Sequence, residues 1–243
     1  MSTILEIKNF SKSYQQGKKA VDNLSLTVSA GDIYGFIGHN GAGKTTTIRA
    51  VVGVMDFEEG EITVNGRSVK TEPVETKSFV AYIPDNPDIY EFITGIQYLG
   101  FIGDMFGMPK AEREESIKKY ADVLEMTTAL GDLVGSYSHG MKQKLALIGA
   151  FMHKPLLMVL DEPFVGLDPQ ASFHMKTMMR ELCDAGGAIF FSTHVLEVAE
   201  KLCDKITIIK NGKLAASGTT NDVLNDGSLS LEELFMEVAK QDG

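Results

Sequence analysis

Gly38-His39-Asn40-Gly41-Ala42-Gly43-Lys44-Thr45 is the segment that most restricts what this chain can become. The apolar run from Asp32 to Ile37 leads into it, and Thr45 to Val54 follows with helix-compatible spacing. Strand, glycine-rich turn and helix in that order make a phosphate loop. Its glycines let the backbone wrap so that successive N–H groups and the helix amino end point at the β- and γ-phosphates of a nucleotide. Lys44 adds a positive charge, and the Thr45 hydroxyl can hold Mg²⁺.

The rest of the chain reads as a sheet interrupted by helices. Ile4, Glu6 and Lys8 alternate with Leu5 and Ile7, and Leu24, Leu26 and Val28 alternate with Ser25 and Thr27, so a small antiparallel sheet is expected at the start. Glu61 to Val64 runs into a tight hairpin at Asn65-Gly66, whose residues tolerate positive φ. Phe79 to Ile83 is a further strand, ended by Pro84-Asp85-Asn86-Pro87. From Thr94 the period changes. Thr94 and Gln97 fit a capping box, with Ile96, Leu99, Ile102 and Phe106 behind it. Pro109 then opens a helix whose face is Ile117, Tyr120, Ala121 and Leu124. Leu156 to Leu160, Ala188 to Ser192 and Ile206 to Ile209 are apolar runs of the kind buried on both faces in a parallel sheet, and Leu231 to Val238 is an amphipathic helical tail.

Three further segments carry chemistry. Asp161 and Glu162 close the strand that starts at Leu156; the first carboxylate can hold Mg²⁺ through water, and the second can orient and polarise an attacking water. His194 follows the next apolar strand and so emerges on the same edge, where a neutral imidazole can donate to the γ-phosphate. Ser138 caps a helix with the apolar row Leu145, Ile148 and Met152, and a capped helix end with free N–H groups is an anion site. A phosphate loop and a second anion-binding helix end in one chain imply that two copies close over each nucleotide.

Composition excludes several alternatives. Twenty-three basic against thirty-three acidic residues give a net charge of −10, which disfavours attraction to phosphate backbones, so no nucleic-acid partner is expected. The longest apolar stretch, Leu145 to Leu160, is broken by His153, Lys154 and Pro155 and falls short of a membrane span. Cys183 and Cys203 cannot form a disulfide framework, and without an amino-terminal signal segment they read as reduced thiols of a cytosolic protein. No Asn-Lys-x-Asp segment reads guanine, which sets a GTPase aside.

Together these motifs, with Val165-Gly166-Leu167-Asp168 after the acidic pair, resemble the ATP-binding subunits of ABC transporters in the family's own order. The resemblance implies an α/β fold: a P-loop NTPase core (the ABC-type nucleotide-binding domain) with an antiparallel β-subdomain and an inserted helical subdomain. It makes residues 1–243 one ABC ATPase domain, with β-subdomain and core at about 1–86 and 137–220, helical subdomain at about 87–136 and a helical tail at about 221–243. It implies that Tyr14 stacks on adenine, and that Gly38, His39, Asn40, Gly41, Ala42, Gly43, Lys44, Thr45 and Thr46 hold the phosphates of ATP. Thr45 and Asp161 would bind Mg²⁺, Glu162 would be the general base and His194 the γ-phosphate switch. Ser138, His139 and Gly140 would reach the nucleotide of the opposite subunit, and Asp168 would stabilise the head-to-tail dimer.

Two departures from the family pattern stand out. The usual Leu-Ser-Gly-Gly-Gln signature is Tyr137-Ser138-His139-Gly140-Met141 here, which puts bulk at His139 where dimer closure needs room. Asp85 stands where the family has glutamine and is expected to approach Mg²⁺. The Ser-His-Gly-Met-Lys-Gln signature, Asp85 and the tail Leu231-Glu232-Glu233-Leu234-Phe235 resemble the ABC-2 type exporter group. The implied partners are a membrane permease and a second copy or homologous ATPase subunit, with the chain peripheral on the inner face of the cell membrane. The permease would dock around Asp85, with Ile89, Tyr90, Phe92, Ile93 and Phe101 as apolar surface, although a place in the core accounts for most of these equally well. A soluble ABC-type ATPase without a membrane partner, of the iron–sulfur assembly kind, is the alternative.

Overall fold

Side-chain alternation organises the first two strands, β1 (Thr3–Gln15) and β2 (Lys18–Ser29). In β2, Val21, Leu24, Leu26 and Val28 are buried while Ser25 and Thr27 face out, so this sheet covers the core with one face only. The computed structural model describes residues 2–15 and 17–240. Strand β3 (Ile33–Ile37) enters the glycine loop and α1 (Lys44–Val51) leaves it. The hairpin β4 (Glu59–Val64) and β5 (Arg67–Ser68) follows, with Asn65 and Gly66 both at positive φ as its turn demands. A short helix α2 (Pro73–Ser78) leads to β6 (Val80–Ile83).

Between β6 and the next strand lie α3 (Gly95–Met105), α4 (Lys110–Val123) and α5 (His139–Met152). The remaining elements are β7 (Leu157–Asp161), α6 (Pro169–Asp184), β8 (Ala188–Thr193), α7 (Leu196–Leu202), β9 (Lys205–Lys210), β10 (Lys213–Thr219), α8 (Thr220–Val223) and α9 (Leu231–Lys240). Four strands pair antiparallel in the order β2-β1-β4-β5. Six form the second sheet, β10-β9-β3-β8-β7-β6, parallel except for β10 at its edge.

The two-residue period of the parallel strands divides the core. Met158, Leu160, Ile189, Phe191, Ile206 and Ile208 join the cluster that receives α3 to α7. Leu157, Val159, Phe190 and Phe36 face the other cluster, beneath α1 and the antiparallel sheet. All are fully buried, as the uninterrupted apolar runs require.

Helix α3 carries the full capping box: Gln97 N–H donates to Thr94 Oγ1 and Thr94 N–H to Gln97 Oε1, at 3.3 and 2.9 Å. Ile117, Tyr120, Ala121 and Leu124 are buried on α4, and the Tyr120 ring meets Phe151 of α5 at a centroid distance of 5.8 Å.

Three local expectations need correction. Helix α1 stops at Val51 instead of reaching Val54, because Gly53 takes the left-handed conformation (φ 65°) that ends helices and turns Val54 out to solvent. Ile96 is exposed rather than part of the apolar row, its N–H donating to Leu130 O at the start of α3. Ile89 belongs to the core and not to the surface, whereas Tyr90, Phe92 and Phe101 are exposed as anticipated.

Phe190 lies at the centre of the parallel sheet, within 5.9 Å of the Tyr34 ring and 5.4 Å of the Phe36 ring. Phe190→Ala is expected to cost about 3–5 kcal/mol of stability. The midpoint of urea unfolding measures it, and a loss below about 1 kcal/mol would show that the two rings collapse into the space.

Candidate functional site

Parallel pairing brings three distant segments to one carboxyl edge of the sheet. The register sets Ile37 beside Thr193 and Asp161 beside Ser192, so the glycine loop, the acidic pair and His194 leave neighbouring strands together. Gly43 occupies the cap position of α1 with φ 111°, and a Cβ there would stand 2.7 Å from Ala20 O. No side chain caps this helix, so its first N–H groups are available to an anion.

Lys44 is buried. Its Nζ donates to Gly38 O at 2.6 Å and lies 3.3 Å from Glu162 Oε1. The Thr45 hydroxyl donates to Asp161 Oδ2 at 2.8 Å, and Ser192 Oγ donates to Asp161 Oδ1. The other Glu162 oxygen, Oε2, pairs with His194 Nδ1 at 2.9 Å and accepts the His194 backbone N–H at 3.3 Å. Glu162 Oε1 is buried and makes no hydrogen bond, and Glu162 itself has φ 49°, a left-handed conformation that costs a non-glycine residue about 1–3 kcal/mol. The carboxylate is thus aimed between a fixed cation and an imidazole. Such an edge can bind a polyphosphate and order a water for attack on it.

The family model described as "ABC transporter" matches residues 21–165. The chain is 34% identical to the ABC-type transporter ATP-binding protein EcsA of Bacillus subtilis (strain 168), over 99% of this chain and 98% of that protein. It is also 34% identical to the linearmycin resistance ATP-binding protein LnrL of the same organism, over 90% of this chain and 70% of the relative. A solved structure titled "Structure of ATP binding subunit of ABC transporter" superposes with a TM-score of 0.93 at 35% identity, over 98% of this chain and all of that one. The chain belongs to the ABC transporter ATP-binding family.

As an ABC ATPase subunit it presents its other motif residues around this edge. Tyr14 is exposed, and its hydroxyl hydrogen-bonds with Thr46 Oγ1 and donates to Met55 Sδ, each at 3.2 Å, which stands the ring over the start of α1. His39 Nδ1 lies 2.8 Å from Asn40 O, and His39, Asn40 and Gly41 are exposed at the loop's crest. Asp85 is exposed just beyond β6, whose Ile83 pairs with Leu160, so it rises on the same edge as Asp161. Ser138 caps α5, accepting the Met141 N–H at 3.3 Å. Gly140 and His139 are brought against Gly166 of the same chain, not left standing clear of it.

Residues beyond the motifs also build the site. Ser192 and the pairing of Glu162 with Lys44 were not anticipated, although the parallel register that puts Ser192 opposite Asp161 is the signal for the first. Gln143, the last residue of the signature segment, and Lys144 add contacts that the sequence does not reveal. The former donates from Nε2 to Pro163 O at 3.0 Å, and the latter pairs with Asp168 at 2.9 Å. The Ala171 amide, and after it Lys144, hold the Asp168 carboxyl below its ordinary range. Burial pushes the Cys183 thiol up to about 12 and the Cys203 thiol up as well, so both remain protonated and inert.

Ser192→Ala leaves one oxygen of the buried Asp161 carboxylate without its donor, and is expected to lower stability by about 1–3 kcal/mol. Urea unfolding is the measurement; an unchanged midpoint would mean that water replaces the hydroxyl.

Proposed function

We propose that two copies of this subunit, or this subunit and a homologous one, close head to tail around two Mg-ATP and drive a separate ABC-2 type membrane permease that moves its cargo outward. The observation that carries this reading is the convergence of Lys44, Thr45, Asp161, Glu162 and His194 on one sheet edge. In it, Gly38 to Thr46 enclose the phosphates with backbone N–H groups, and the Tyr14 ring supports the adenine. The incoming γ-phosphate replaces Glu162 as the counter-ion of Lys44. The released carboxylate orients a water and takes its proton as the water oxygen bonds to the γ-phosphorus and ADP leaves. His194 then donates a hydrogen bond to the transferred phosphate. Ser138 and Gly140 supply the opposite subunit's site, and Asp168 steadies the seam.

Hard oxygen donors suit Mg²⁺, and the hydrogen-bonded Thr45 hydroxyl and Asp161 carboxylate are such a pair, with Asp85 within the same edge. When bound there, the ion neutralises charge on the phosphates.

A groove of ≈ 790 Å³ between β6, α2 and α3, lined by Val54, Val74, Val80, Ile102 and Met105, supports docking of an apolar permease segment, with Tyr90, Phe92 and Phe101 exposed on the neighbouring surface. Among the described residues no helix is long and apolar enough to cross a membrane, in keeping with a subunit held peripherally on the inner face by its partner. The resistance role printed in the name of LnrL supports outward transport.

Glu162→Gln is expected to retain ATP affinity while slowing turnover by roughly 10² or more, and to trap an ATP-dependent dimer detectable by size-exclusion chromatography. Unchanged hydrolysis would refute the role of Glu162, and a monomer at saturating Mg-ATP would refute the dimer. Tyr90→Lys and Phe92→Asp should release the protein from membranes; retention would exclude docking through that surface, and recovery of the parent with soluble proteins only would return it to the soluble ATPases.

A further inference from the structure

The start of α5 grips the turn after Glu162 at three points. Gln143 Nε2 donates to Pro163 O at 3.0 Å, a Cβ on Gly140 would lie 3.0 Å from Gly166 O, and Lys144 pairs with Asp168 at 2.9 Å. Gly166 lies at the middle of this turn with φ 84°, and the space where its Cβ would stand is already taken. The imidazole of His139 takes it, with Cδ2 2.8 Å and Nε2 3.2 Å from that point; Gln143 Oε1 is 3.7 Å from the same point. Gln143 is fully buried, and its Oε1 has no hydrogen-bond partner. The His139 ring and the Gln143 amide thus both face the space over Gly166, with no hydrogen bond made to Gln143 Oε1.

We propose that His139 is a positioning residue for hydrolysis: its ring wedges the turn through Gly166, fixing the direction in which the preceding Glu162 carboxylate points. The His139 ring, though exposed, thus contacts its own chain at Gly166. The turn runs from Glu162, itself in a left-handed conformation, to Gly166, so the wedge sits four residues from the carboxylate it is proposed to position. The same wedge joins the water-orienting carboxylate of one site to the helix end, Ser138 and Gly140, that serves the other. This inference rests on the ATPase reading above.

The test is steady-state ATP hydrolysis by the full-length protein, with Glu162→Gln as the control that reports separately on that reading. His139→Ala should lower kcat by about tenfold with KM for ATP within about twofold, since a slight misdirection of the attacking water costs the chemical step and not binding. His139→Gln, whose side chain fills part of the same space, should recover most of the loss. Gly166→Ala gives a second arm independent of whether His139 variants lose activity: its Cβ collides with the ring in the parent, and so its destabilisation, read from the urea midpoint, should be smaller in the His139→Ala background. Unchanged or faster turnover in His139→Ala, equal losses in the Ala and Gln variants, or additive stability effects of the two substitutions would each overturn the proposal.

Discussion

A buried ammonium group decides how this edge of the sheet is built. Lys44 points back into the glycine loop, where the Gly38 and His39 carbonyls accept from it but cannot balance its charge, and an unpaired ion in such a place costs about 3–5 kcal/mol. Glu162 supplies the balance at 3.3 Å. That requirement gives a reason for the unfavourable left-handed backbone at Glu162: the strain of the residue offsets the larger penalty of a stranded cation. A polyphosphate entering the loop brings more negative charge to Lys44 than one carboxylate does. In the proposed cycle, nucleotide binding and release of the Glu162 carboxylate would then be a single electrostatic exchange.

Parallel topology makes the exchange geometrically possible. Thr45 and Asp161 are far apart in the chain but lie on neighbouring elements at one edge, because β3, β8 and β7 all run the same way and end together. Loops leaving such ends meet over the crevice that α/β sheets use for ligands. The helices packed on both faces bury the strands fully, which fixes the register; a slip of one residue would send Asp161 and Ser192 to different levels and break their hydrogen bond.

Much of this was legible in the chain because it rests on local patterns. The capping box at Thr94 and Gln97, the hairpin at Asn65-Gly66 and the apolar runs at Leu156 and Ala188 are short-range signals, and each appears where it was expected. What escaped reading depends on contacts between distant segments. Gly53 ends α1 earlier than apolar spacing suggested, Ile89 turns inward because the helices close over it, and Ser192 acquires its role only once β8 lies beside β7. His139 shows the same division. Its type and place are visible in the sequence, but whether an imidazole at a helix start faces outward or folds over a glycine far along the chain is a question of tertiary packing.

The geometry of α5 bears on the proposed second phosphate contact. The start of α1 opens onto the residues that act on a phosphate, Lys44 and Glu162 among them. The start of α5 is instead fastened through Pro163, Gly166 and Asp168 to the turn that leaves that same site. In the proposed head-to-tail pair, an anion held by α5 would act on a segment whose first residue is Glu162. In a head-to-tail pair each subunit would sense its neighbour's nucleotide through this turn, and the bracing side chains Gln143, Lys144 and His139 set how stiff that link is.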